Sequence, residues 1–162
     1  MTNLLHLATQ ADLERLLPMV KAYHVFESID VDDEHRRSAI APLLEGSPHG
    51  AIWLIGPKIS PVGYVAVSFG WSIELGGLDG FIDEIWIREK VRGRGMGFEA
   101  ISALVKSLQG AGLKALHLEV APSNERAQNL YKRLGFEKRP YSLMTWTPQN
   151  LSKVHDAAYS LR

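Results

Sequence analysis

The clearest chemical signal in the chain is one short run, Arg92-Gly93-Arg94-Gly95-Met96-Gly97. Glycine at every second position lets the backbone turn tightly and brings bare N–H groups close to a ligand. Two arginines add full positive charge. A helix starting directly behind such a turn points its unpaired N–H groups, and the positive end of its dipole, the same way. That combination suits phosphate. The run is neither the phosphate loop ending in Gly-Lys-Ser/Thr nor the spaced Gly-x-Gly-x-x-Gly of dinucleotide folds. Taken alone, it also fits a glycine-rich strand-to-helix turn whose arginines are simply solvated.

The flanks supply the elements that such a loop needs. Phe81 to Ile87 is rich in β-branched and aromatic residues and reads as a strand, with Gly80 ahead of it. Ile101, Leu104, Val105 and Leu108 recur at helical spacing, and Gly110 and Gly112 stand where that helix should stop.

At 162 residues the chain has room for one domain with a real core, here residues 1–148, followed by a C-terminal extension over 149–162. Lys plus Arg and Asp plus Glu number 18 each, so the net charge is zero and any anion site must be local. A nucleic-acid binder should carry a basic excess, so none is expected as a partner. Cysteine is absent, which excludes disulfides, a thiolate nucleophile and cysteine-ligated metal. No metal is expected. No apolar run reaches membrane-span length and no signal pattern opens the chain, so the expected compartment is the cytoplasm, away from membranes.

In chain order, Leu4 to Ala8 reads as a strand. A helix follows through Leu13, Leu16, Leu17, Val20 and Val25, with Pro18 expected to kink or divide it. Asp32-Asp33-Glu34 suits the start of a second helix running to Gly46. Ala51–Ile55 and Val62–Phe69 read as a hairpin, with Trp71–Leu75 continuing the second strand past a break at Gly70. Gly76-Gly77 and Asp79-Gly80 mark a turn into the strand at Phe81. Beyond the glycine loop come a strand over Lys114–Val120 and a helix over Glu125–Leu134 closed by Gly135. Strand material follows at Phe136–Lys138 and Tyr141–Thr147, then a terminal helix over 149–162. The predicted class is α/β, a mixed, mostly antiparallel sheet with helices on both faces.

A second motif lies downstream: Asn124-x-x-Ala127-x-x-Leu130-Tyr131-x-x-x-Gly135-Phe136. Together with Ile85-x-Ile87 and the loop at Arg92–Gly97, it closely resembles the GNAT superfamily of acetyl-CoA-dependent N-acetyltransferases. The resemblance implies acetyl-CoA as co-substrate. Backbone N–H groups of Arg92, Gly93, Arg94, Gly95, Met96 and Gly97 would hold its diphosphate. Ile85, Trp86 and Ile87 would pair with the pantetheine arm like an added strand, near Asn124 and Ala127. The acetyl group would sit where the sheet splays between 81–87 and 114–120. Asn124 also fits a helix N-cap, and the two roles are compatible.

The resemblance further implies transfer to a primary amine, on a small molecule or a peptide terminus, directly in a ternary complex. A non-catalytic CoA-binding sensor or partner domain is the alternative, and a homodimer is common among similar proteins. Tyr131 matches the general-acid position, since the departing thiolate needs a proton; it also fits a tyrosine packed under the sheet. Candidate bases are Asp83, Glu84 and Glu119, with His117 as a relay to Glu119; each also fits a solvated or paired strand acid. Strand alternation keeps Asp83 and Glu84 from facing one cleft. Tyr23, His24, Glu27, Tyr64, Trp71 and Glu74 are candidates for the acceptor pocket. The acidic run Glu27, Asp30, Asp32, Asp33 and Glu34 fits either a cation-greeting surface or a solvated helix start.

Overall fold

A computed structural model describes residues 4–148. Its sheet is built from β1 (Leu5–Leu7), β2 (Gly50–Ile55), β3 (Gly63–Ser72), β4 (Gly77–Ile87) and β5 (Ala115–Leu118), in that spatial order. The first three pairings are antiparallel and β4–β5 is parallel. The helices are α1 (Leu13–Phe26), α2 (Asp33–Leu44), α3 (Met96–Gly110) and α4 (Glu125–Arg133). The expected mixed α/β class, with helices on both faces, is what the chain adopts.

Alternation along the strands feeds two cores. On one face Ile52, Leu54, Tyr64 and Ala66 meet Leu16, Met19 and Val20 of α1 and Ile40 and Leu44 of α2. On the other, Ile55, Val65, Val67 and Ile82 meet Ala100, Leu104 and Leu108 of α3. Full burial of a leucine such as Leu16 or Leu104 contributes about 1.5–3 kcal/mol each, so the helices are clamped to the sheet chiefly by these side chains. Asp32 fixes the start of α2 by accepting from the His35 N–H at 2.7 Å.

Several expectations need correction. Pro18 does not divide α1, which runs unbroken across it. The proline is exposed, so the Glu14 carbonyl left without its helical donor faces water instead of the core. Gly70 is no break either. It pairs with Asp79 inside β3, and a Cβ there would come within 2.7 Å of Asp79 Oδ1, so glycine leaves room for that side chain. The turn is Ile73–Gly76, and Gly77, Asp79 and Gly80 already belong to β4. β5 stops at Leu118, short of Glu119 and Val120. Phe136–Lys138 and Tyr141–Thr147 form no strand. Pro140 removes a ladder donor there, and Tyr141, Leu143, Met144 and Trp146 stand exposed. The terminal helix expected over 149–162 lies outside the described residues.

Two irregularities in β4 create the site. Ala66 pairs with Glu84 and Val67 with Ile82, which leaves Asp83 as an extra, unpaired residue in a β-bulge. The β4–β5 ladder covers only Asp79–Ile82 against Ala115–Leu118. Beyond the bulge the two strands part.

Candidate active site

The gap opened between β4 and β5 widens into a cleft of about 1030 Å³. Its walls are the end of α1, the second half of β4, the glycine loop with the start of α3, residues 118–121 and α4. At the loop, Gly93 and Gly95 have φ values of +83° and +81°, a region where side-chain-bearing residues are strained. Gly95 is the N-cap of α3, so the free N–H groups of that helix start at the cleft. A Cβ on Gly93 would stand 3.2 Å from the Arg126 guanidinium, which reaches across from α4. Bare amides, a helix N-terminus and a guanidinium thus converge on one end of the cleft. These residues fit a diphosphate.

The two loop arginines differ. Arg92 is held by the protein: its Nε donates to the Ile87 carbonyl at 2.6 Å, and its guanidinium lies 4.1 Å from the Trp86 ring centroid and 5.4 Å from that of Phe26. Arg94 is exposed and outside the cleft lining.

Along β4, Arg88 N–H donates to the Val62 carbonyl and the Trp86 carbonyl lies against Gly63, so both face β3. Alternation then directs the backbone groups of Ile85 and Ile87 toward the gap. Ile85 offers its main-chain groups to an extended arm and Ile87 its N–H, the Ile87 carbonyl being held by Arg92, whereas Trp86 contributes its ring. Opposite them, Asn124 caps α4 by accepting from the Ala127 N–H at 3.1 Å, and both residues line the cleft. Tyr131 lies on the same helix, its ring edge-on to Phe136 at 5.7 Å. Burial raises its pKa, which keeps the phenol protonated and able to donate.

The acids divide by environment. Glu84 is committed: Tyr64 O–H donates to one of its oxygens at 2.6 Å and His24 Nε2 lies 2.7 Å from the other. Arg36 Nε–H can only donate, and it donates to His24 Nδ1 at 3.1 Å, so the ring proton sits on Nε2 and points at Glu84. Burial, then the Glu84 charge and hydrogen bond, hold the Tyr64 phenol far above its usual range. Asp83 makes no hydrogen bond or ion pair among the described residues. The protein crowded around it, and next the Glu84 charge, push its carboxyl above the ordinary carboxylate range, although it opens to solvent along the cleft. Asp83 lines the cleft and also a smaller cavity on its other side, which Glu84 lines too. Of the two acids only Asp83 lines the cleft, and the bulge at Asp83 lets it border the smaller cavity with Glu84 as well.

Glu119 also lines the cleft. His117 does not; it faces Asp79, with 3.7 Å between Nε2 and Oδ2, which removes it as a relay. Of the acceptor candidates, Tyr23 and Glu27 line the cleft, while His24 and Tyr64 line the smaller cavity. Tyr23 is pushed up to about 12 by burial, then by the charges of Glu27, Glu84 and Asp83. Trp71 is 75% exposed on the far part of β3, and Glu74 sits in the following turn beside Arg139; neither reaches the site. In the acidic run, Asp32 caps α2 and Asp33 pairs with Lys21 and Arg36, so only Glu27 meets the cleft.

A sequence profile of the Acetyltransferase (GNAT) family matches residues 14–136. The chain belongs to that family. An uncharacterized N-acetyltransferase of Methanocaldococcus jannaschii is 34% identical to this GNAT protein over 80 residues, 49% of this chain and 35% of the relative's own length. An integron cassette protein from the mobile metagenome of Cole Harbour Salt Marsh superposes with a TM-score of 0.78 at 27% identity, covering 89% of this chain and 90% of that one. An aminoglycoside N-acetyltransferase, AAC(6')-Iy, solved in complex with CoA, superposes with a TM-score of 0.74 at 16% identity, over 89% and 93% of the two chains. The last likeness is one of fold.

Sequence reasoning about this GNAT chain overlooked Phe26, Arg36 and Arg126. Phe26 follows Tyr23 by three residues and so shares its helix face, a signal that was available. Arg126 sits in the first turn of α4, where it looks like any solvated surface arginine. Arg36 is buried at 6% exposure within a polar run that gives no hint of a core position.

Proposed function

We propose that this protein is an acetyl-CoA-dependent N-acetyltransferase that acts on a primary amine by direct transfer, with Asp83 as base and Tyr131 as acid. One observation carries the reading: the anion-fitting loop, an unpaired carboxylate and a protonated phenol all line the single gap opened by the β4 bulge. Acetyl-CoA supplies the activated acyl group: the amine nitrogen bonds its carbonyl carbon, the C–S bond breaks, and the electron pair leaves on sulfur.

The chain's own residues do the rest. Amides from Gly93 to Gly97, with Arg126, hold the diphosphate, and Ile85 and Ile87 align the arm through their backbone. Asp83 takes one proton from the incoming ammonium, freeing the nitrogen lone pair. The Tyr131 hydroxyl gives its proton to the departing sulfur and recovers one from the nitrogen, which still carries an extra proton after bonding. Asp83 returns its own proton to water. Glu84 is a positioning residue, since both its oxygens already accept hydrogen bonds within the fold. Glu119 lines the same cleft, where its charge adds to that around Asp83.

The test is thiol release from acetyl-CoA with and without added amines. Amine-dependent release above the hydrolysis rate supports transfer. Binding of CoA with no turnover for any amine would favour the alternative, a CoA-binding partner domain.

A further inference from the structure

We propose that the smaller cavity, beneath α1 and α2, is the acceptor pocket and that it selects a primary amine carried on a compact apolar group. The proposal rests on the transferase reading above and names the substrate class for that site. The cavity has a volume of about 300 Å³ and is bounded by α1, the α1–α2 connection, α2 and strands β2 to β4. Asp83 is the residue that lines both this cavity and the cleft holding Tyr131. A ligand lying in the smaller space therefore presents one end at the Asp83 carboxylate, beside the place where the acyl group would arrive.

The chemistry of the walls limits what the rest of that ligand can be. Val20, Ile29, Val31, Ile40, Leu43 and Ile52 give it an aliphatic lining. Most of the polar side chains around Glu84 pair with one another. Arg36 donates to His24 at 3.1 Å and to Asp33 at 2.8 Å; His24 and Tyr64 occupy the two Glu84 oxygens at 2.7 and 2.6 Å. A further ammonium group on a ligand would lose water there beside the Arg36 guanidinium, with only the exposed His35 ring at the rim left to accept from it, at a large cost for the charge. An alkyl or aryl group meets the aliphatic walls. Asp83, with no partner in the fold, is left to take the single ammonium.

Initial-rate kinetics of the full chain with saturating acetyl-CoA test this, using straight-chain alkylamines of increasing length, phenethylamine, spermidine and an amino sugar. Across the alkylamines kcat/KM is expected to climb about threefold to fourfold per added methylene until the cavity is filled, then to level off. Phenethylamine should exceed spermidine and the amino sugar at least tenfold. A second arm uses Ala39→Phe, placed on the exposed rim of α2 where that cavity opens. It should flatten the length dependence while leaving calorimetric binding of CoA unchanged. A flat series in the parent chain, a preference for spermidine or the amino sugar, or a length dependence surviving in Ala39→Phe would each overturn the pocket assignment and leave the transferase reading standing. Failure to bind CoA at all would bring down that reading, and this inference with it.

Discussion

Tyr131 and Asp83 reach one cleft from different elements, and opposite tasks are proposed for them. Tyr131→Phe keeps the ring packed on Phe136 but removes the proton, so kcat should fall about a hundredfold or more while the CoA dissociation constant stays within about twofold. Stopped assays of thiol release, alongside calorimetry, separate the two. Asp83 works as a base only when deprotonated, and its pKa is raised by burial and Glu84. Activity should therefore decline as pH falls through a value above the ordinary carboxylate range, and Asp83→Asn should abolish that acid limb along with most of the rate. A kcat/KM profile against pH for the two proteins checks both statements. The loop at Arg92–Gly97 stands out in the sequence through its glycine spacing, and Tyr131 through its place in a family motif, and both proposals start from there. The separate roles of Asp83 and Glu84 were not legible there. They depend on one extra residue in a strand, which alters pairing register and leaves no mark on composition.

Among the elements, β4 does the most to organise the site, through its bulge, its early departure from β5 and its tie to α1. That tie is the Tyr64–Glu84–His24–Arg36 chain. Glu84→Gln keeps the shape but turns an amide N–H₂ toward one of two donors, so roughly 2 kcal/mol should be lost. For a chain of this size that is a fall of about 4–8 °C in melting temperature, readable by calorimetric scanning. The loop between β4 and α3 makes a different prediction. Gly93→Ala forces a Cβ into a backbone conformation with φ of +83° and toward Arg126, straining the loop by about 1–2 kcal/mol. CoA affinity should drop about tenfold or more, with the melting temperature moving only a few degrees. Element types were largely readable from periodicity, since buried helix faces and alternating strands follow one rule each. The misreadings at Pro18 and Gly70 share a cause. Both residue types commonly break elements, yet Pro18 sits on the exposed side of α1 and Gly70 leaves room for the Asp79 side chain.

For the whole molecule, the layered arrangement places helices α1 and α2 over one face and α3 over the other, and the split between β4 and β5 opens between these layers. A ligand that spans this split joins both halves and should stabilise the folded state. At a hundredfold excess over its dissociation constant the gain is about 2.7 kcal/mol. The family was legible because two motifs stand in the right order on the right elements. The acceptor was not, because the pocket proposed for it is assembled from residues between Val20 and Glu84, brought together only by folding. In this proposal the glycine loop and the split sheet hold CoA. Isothermal titration of the full chain with CoA addresses it most directly: one molecule bound per chain, weakened about tenfold or more by Gly93→Ala, is the predicted result. No heat of binding in the parent protein, or equal binding by the variant, would contradict it.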